Sequence, residues 1–124
     1  MDDLATRETT ELVLTAEELV NYTTAFFNET SVVLPATHRA DLNTIHEAAQ
    51  RFQTMLDTHS ALPADEASLK QIRHDLKNIL NLVVGYSQLL IREKRSPLTP
   101  LQYATVLSVY HTGKTLLVGV DALR

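Results

Sequence analysis

The sequence contains no cysteine, which excludes disulfide scaffolds, thiolate zinc sites and thiol catalysis together. It has three glycines, at 85, 113 and 119, too few and too scattered for a glycine-rich loop that cradles phosphate, so the chain is not expected to carry its own nucleotide site. No apolar run approaches the length needed to cross a bilayer. The acidic start Met1-Asp2-Asp3 is the reverse of a basic, apolar signal peptide, so the expectation is a soluble, cytoplasmic chain without a membrane segment. The 11 Lys and Arg are dispersed among 15 Asp and Glu, giving a net charge of -4. Sequence neighbours therefore assemble no basic patch, and nucleic acid is not expected as a partner. What remains is 124 residues, 44% hydrophobic and 21% charged, a balance that suits one compact domain with a modest core.

The prolines at 35, 63, 97 and 100 cut the chain into long stretches of helical periodicity, and the reading is four helices in an all-α protein. Thr15-Ala16-Glu17-Glu18 has the form of a capping box, placing the start of the first helix there, with Leu19, Val20, Thr23, Phe26 and Phe27 as its apolar positions. Residues 8 to 14 fit helix or extended chain equally. After the apolar join Val32-Val33-Leu34-Pro35, the spacing of Leu42, Ile45, Ala49, Phe52 and Leu56 predicts a second helix ending near His59. The third begins between Ala64 and Ser68, with Ser68-Leu69-Lys70-Gln71 as its capping box. Its stripe of Leu69, Ile72, Leu76, Ile79, Val83, Tyr86 and Leu90 carries it to about Lys94. Beyond the turn Arg95-Ser96-Pro97-Leu98, Thr99-Pro100-Leu101-Gln102 combines an N-cap hydroxyl, a first-turn proline and a capping Gln. That signal opens a fourth helix with a stripe of Tyr103, Leu107, Tyr110, Leu117 and Val120. The short join makes the last two helices an antiparallel hairpin, whose remaining apolar surface is covered by the first hairpin or by the same hairpin of a second chain.

Arg73-His74-Asp75-Leu76-Lys77-Asn78 lies in the middle of the third helix, with its polar members turned away from the apolar stripe, so His74 is expected to face solvent. An exposed imidazole beside a carboxylate is a competent nucleophile at neutral pH, and the carboxylate can orient the ring or hold its proton.

His74-Asp75-Leu76-Lys77-Asn78, followed by Leu80, Gly85, Tyr86, Leu89 and Leu90, resembles the H-box of the dimerisation and histidine-phosphotransfer domain of sensor histidine kinases, the HisKA type. The resemblance covers about residues 64 to 124. It implies that His74 accepts a phosphoryl group from a separate ATP-binding domain, in cis or in trans, and passes it to an Asp of a response-regulator receiver. It further implies Asp75 as base or orienting group, Asn78 as the residue that positions water, and Lys77 as the cation that offsets phosphoryl charge. ATP and Mg would belong to the separate catalytic domain, so no cofactor is expected in this chain. The family commonly has Pro directly after the Asn or Thr, where this sequence has Ile79. In that respect it also resembles the sporulation-type phosphotransferases, which lack the Pro and use the same hairpin and His.

The expected assembly is a homodimer with a four-helix bundle at its centre, built from the hairpin of residues 63–124, with residues 1–62 as a flanking input segment. The alternatives are a monomeric histidine-phosphotransfer module, in which all four helices form one bundle, and a helical dimerisation or scaffold domain without chemistry. Other signals take plainer readings. His46-Glu47-Ala48-Ala49-Gln50 lacks the second ligand of a zincin helix, and His38, His59 and His111 are read as surface or join residues, with a partly buried bundle position as the alternative for His111, so no metal site is expected. Asn21-Tyr22-Thr23 and Asn28-Glu29-Thr30 fit the glycosylation pattern but lie on a helix. The tyrosines at 86, 103 and 110 are at core-packing spacings, and Gly113 and Gly119 mark close helix approach or room for a docking receiver.

Overall fold

The computed structural model describes residues 3–29, 36–61, 65–92 and 98–122, and within them the chain forms four α-helices and no strand. They are α1 (Asp3–Glu29), α2 (Ala36–Ala61), α3 (Glu66–Arg92) and α4 (Pro100–Asp121). The joins expected at Val32 to Pro35 and Arg95 to Pro97 lie outside the described residues, as do the side chains of Phe27 and His59.

Each helix packs on two neighbours, in the ring α1–α2–α3–α4–α1, and not on the one across the diagonal. Neighbours run antiparallel: Gly113 of α4 lies against Val83 and Val84 of α3, and Gly119 near the end of α4 lies against Leu12 near the start of α1. The result is an up-down-up-down four-helix bundle with one core drawn from both hairpins. Phe26, Phe52, Leu76 and Leu116, one from each helix, are all buried in it. Burial of such side chains contributes about 1.5–3 kcal/mol each. An exposed interhelical ion pair contributes at most about 1 kcal/mol, so apolar packing sets the arrangement.

The α2 stripe is as expected, with Leu42, Ile45, Ala49, Phe52 and Leu56 all buried. Four local readings need correction. The Thr15 capping box is not used, because α1 starts a dozen residues earlier and Thr15 Oγ1 donates to Glu11 O (2.8 Å) as an interior residue. Buried Leu12 and Ala16 extend the Leu19 row backwards and hold residues 10 to 14 in the helix. The cap of α3 is Asp65 rather than Ser68: Asp65 Oδ1 accepts from Ser68 N at 2.7 Å, and Leu69 N donates to Asp65 O at 2.9 Å. His38, read as a surface or join residue, is buried, because it sits four and seven residues before Leu42 and Ile45 on the same side of α2.

The fourth correction concerns the phase of α4. Its buried row is Val106, Val109, Gly113, Leu116 and Val120, while Tyr103 is 43% exposed and Leu107, Tyr110 and Leu117 are half-buried. Apolar residues lie all round this helix, so spacing alone fits more than one stripe, and the close contact of Gly113 with Val83 and Val84 selects the one that packs. The start of α4 is as read: Thr99 Oγ1 accepts from Gln102 N (3.1 Å), and Thr99 N donates to Gln102 Oε1 (2.9 Å).

The three glycines differ in what they do. A Cβ on Gly113 would sit 3.1 Å from Val84 Cγ2 and 3.3 Å from Val83 Cγ1, on stiff β-branched neighbours, whereas a Cβ on Gly85 would meet nothing within 4 Å. Helix propensity alone favours Ala over Gly by about 1 kcal/mol. Gly85→Ala is therefore expected to raise the stability of the dilute protein by roughly that amount, and Gly113→Ala to give none of the gain. Urea unfolding of both variants checks this, and equal gains would show that α3 and α4 do not meet closely at Gly113.

Candidate functional site

The buried row Leu76, Ile79, Leu80 and Val83 fixes the rotation of α3 about its axis. With that row inside, His74 and Asn78 are turned to solvent, one helical turn apart on the same face. Asn78 Nδ2 lies 3.2 Å from His74 Nε2. With the amide donating, a neutral ring carries its proton on Nδ1, and the Nε2 lone pair accepts the Asn78 N–H; both side chains are exposed, so the amide can swing away and leave that lone pair to an electrophile.

The two charged neighbours have partners of their own. Asp75 is half-buried, and its Oδ1 accepts from Gln71 Nε2 at 2.9 Å, one turn back along α3. Lys77 forms an ion pair with Asp121 at the end of α4, both side chains being substantially exposed. Of the four residues expected at the site, the structure thus brings His74 and Asn78 into direct contact and sets Lys77 on the flank towards α4. Asp75 is turned towards Gln71. Sequence reasoning gave neither Gln71, read there as part of a helix cap, nor Asp121 a place at the site. The first stands four residues before Asp75 and was legible as a helical pair; the second follows only from the antiparallel register of α3 and α4.

The other histidines are differently placed. His46 is half-buried with Nδ1 2.7 Å from the hydroxyl of buried Thr23, whose own proton goes to Val20 O (2.9 Å), so the ring nitrogen donates across the α1–α2 contact. His111 is exposed on α4 and meets the Tyr110 ring edge-on at 5.4 Å. Among the described residues no group of three or more His, Cys, Asp and Glu side chains could hold a metal ion. No helix among them is long and apolar enough to cross a membrane. Compared with protein-family models, with curated proteins and with solved structures, the chain matches none.

The helix that presents His74 is held at its start by Asp65. The backbone N–H of Ser68, and then its hydroxyl, hold the Asp65 carboxyl below the ordinary carboxylate range. A carboxyl whose value is lower folded than unfolded contributes stability above its unfolded value, and that contribution is lost as pH falls through the folded one. Asp65→Asn keeps a capping acceptor but cannot titrate. The variant is expected to lose less of its urea midpoint than the wild type when pH is lowered from neutrality through the carboxylate range; parallel curves would show that the Asp65 cap does not titrate with folding.

Proposed function

We propose that this chain is a histidine-phosphotransfer module of two-component type, in which His74 accepts a phosphoryl group and passes it to an Asp of a receiver domain. The observation that carries the reading is the exposed His74–Asn78 pair in mid-helix, its imidazole at the surface of the bundle with Nε2 held only by the exposed Asn78 amide. Asn78 releases Nε2, the Nε2 lone pair attacks phosphorus, the bond from phosphorus to the donor's oxygen breaks, and the donor leaves with that electron pair. The ring is left with phosphorus on Nε2 and its proton on Nδ1, and the reverse displacement by a receiver carboxylate restores neutral His74. Lys77 offsets phosphoryl charge by exchanging Asp121 for the phosphoryl oxygens. Asp75 serves as base or orienting group once it releases Gln71, and Asn78 positions water for hydrolysis. ATP and Mg act in a separate catalytic domain, in cis or in trans.

Between the two assemblies that carry this chemistry, the single-chain bundle is favoured over the homodimeric hairpin bundle, because α1 and α2 already cover the apolar faces of α3 and α4. A helical interaction module without chemistry is the competing reading, favoured by the partners that Asp75 and Lys77 already have.

The test is labelling by phosphoramidate, a small donor that needs no docking, followed by mapping of acid-labile, base-stable phosphate. His74 is expected to be labelled in preference to His111, which is also exposed and serves as an internal control. His74→Gln is expected to lose that label, and Asn78→Ala to keep it and hydrolyse it more slowly. Equal labelling of His74 and His111, or none on His74 in the folded protein, would favour the module without chemistry.

A further inference from the structure

Gln71, His74, Asp75 and Asn78 form one patch on α3, because each stands three or four positions from two of the others. Two of the links across this patch are made, Gln71 Nε2 to Asp75 Oδ1 at 2.9 Å and Asn78 Nδ2 to His74 Nε2 at 3.2 Å. Among the described residues, neither Oε1 of Gln71 nor Nδ1 of His74 has a hydrogen bond. Asn78 reaches the ring from the turn that follows His74. The two nitrogens of an imidazole point in nearly opposite directions, so the Nδ1–H is directed back towards the preceding turn. Of the residues there, Lys70, Gln71, Ile72 and Arg73, only Gln71 carries a side-chain acceptor. Its amide is already oriented, since Nε2 is engaged by the Asp75 carboxylate and Oε1 is the end left over.

We propose that Gln71 is a positioning residue for His74, an amide bridge that accepts the Nδ1–H on Oε1 while it donates from Nε2 to Asp75. The inference rests on the reading of His74 as a phosphoacceptor. The need for it arises when Asn78 releases Nε2. A neutral histidine ring in water carries its proton mainly on Nε2, and a proton there removes the lone pair that must attack; a hydrogen bond at one ring nitrogen decides which tautomer is present. An acceptor at Nδ1 therefore keeps the lone pair on Nε2. Attack on phosphorus leaves the ring positively charged with its proton still on Nδ1. The Asp75 carboxylate polarises the amide, so Oε1 accepts more strongly as the ring becomes the stronger donor. In the return step the electron pair of the phosphorus–nitrogen bond goes back to Nε2, and no proton leaves Nδ1 at any stage. Asp75 stands about 100° round the helix from His74, and adjacent residues of a helix do not face each other. Its charge thus orients the ring through Gln71, without that bond being released.

The ring tautomer can be read without any phosphorylation, by nitrogen NMR of isotopically labelled protein at about pH 9, where an ordinary imidazole is neutral. In Asn78→Ala, which removes the competing donor, the His74 ring is expected to hold its proton mainly on Nδ1. Adding Gln71→Met, of similar length but without the amide, is expected to return the proton to Nε2. Adding Asp75→Asn instead, which still accepts from Gln71, should keep the Nδ1–H form in excess. In the otherwise wild-type protein, Gln71→Met is expected to slow phosphoramidate labelling of His74 about three- to tenfold. Labelling of His111 and the urea midpoint should not change, since Gln71 is exposed. The proposal is overturned by an Nδ1–H excess that survives Gln71→Met, or by one that Asp75→Asn abolishes and Gln71→Met does not, which would assign the orienting contact to Asp75 directly. A wild-type His74 that takes no label while its tautomer follows Gln71 would overturn the phosphoacceptor reading alone.

Discussion

The closure of the ring of helices, where the end of α4 meets the start of α1 through Gly119 and Leu12, is the constraint on which the remaining geometry rests. Without that contact the α3–α4 hairpin would keep an open apolar side, and α3 would be free to roll. With it, Leu76, Ile79, Leu80 and Val83 all point into one enclosed core, and the rotation of α3 is decided by several buried side chains at once. The outward position of His74 is then a consequence of packing, not of any contact the imidazole makes. A rotation of one residue, about 100°, would expose part of that buried row, at a cost far above anything a surface histidine returns.

The parts of this arrangement legible in the sequence are those where polar and apolar residues alternate cleanly. In α2 and α3 the polar faces leave one choice of stripe: the expected α2 row is buried, and of the expected α3 row Leu76, Ile79, Val83 and Leu90 are buried while Leu69, Ile72 and Tyr86 are half-buried, with Leu80 and Ser87 added where the row widens. In α4 the charged residues are confined to Lys114 and Asp121, so neighbouring stripes are equally apolar and spacing cannot separate them. What separates them is the absence of a side chain at Gly113, a property of the packed pair and not of the α4 sequence. The beginning of α1 was illegible for a related reason: Thr15 and Glu18 form a cap signal only where the chain before them is not already helical, and burial of Leu12 makes it so. At the site, the His74–Asn78 contact follows from helical spacing, whereas the Lys77–Asp121 pair depends on the register of two helices that a single sequence does not print.

The three glycines show how the same residue answers different physical demands. Gly113 and Gly119 are paid for by close approach inside the bundle, and a methyl group at either would press on Val83 and Val84 or on Leu12. Gly85 meets no such demand, and it lies on a face from which charge is missing although the helix is exposed there. A surface helix ordinarily places charge on such a face because solvation costs it nothing and keeps molecules apart.

The polar contacts around His74 are weak enough to be exchanged. Exposed ion pairs contribute about 0–1 kcal/mol, and the bond between Gln71 and Asp75 is likewise at the surface. A phosphoryl group on the imidazole would bring a charge approaching about -2 and three acceptor oxygens, against the single carboxylate charge of Asp121. Lys77 lies one turn from His74 on the flank towards α4, so competition for its ammonium would favour such a phosphoryl group. The exchange costs the fold little, because the end of α4 is held by Leu116 and Val120 in the core and not by Asp121. Packing thus holds the histidine in place, and the charged groups around it are free to exchange partners.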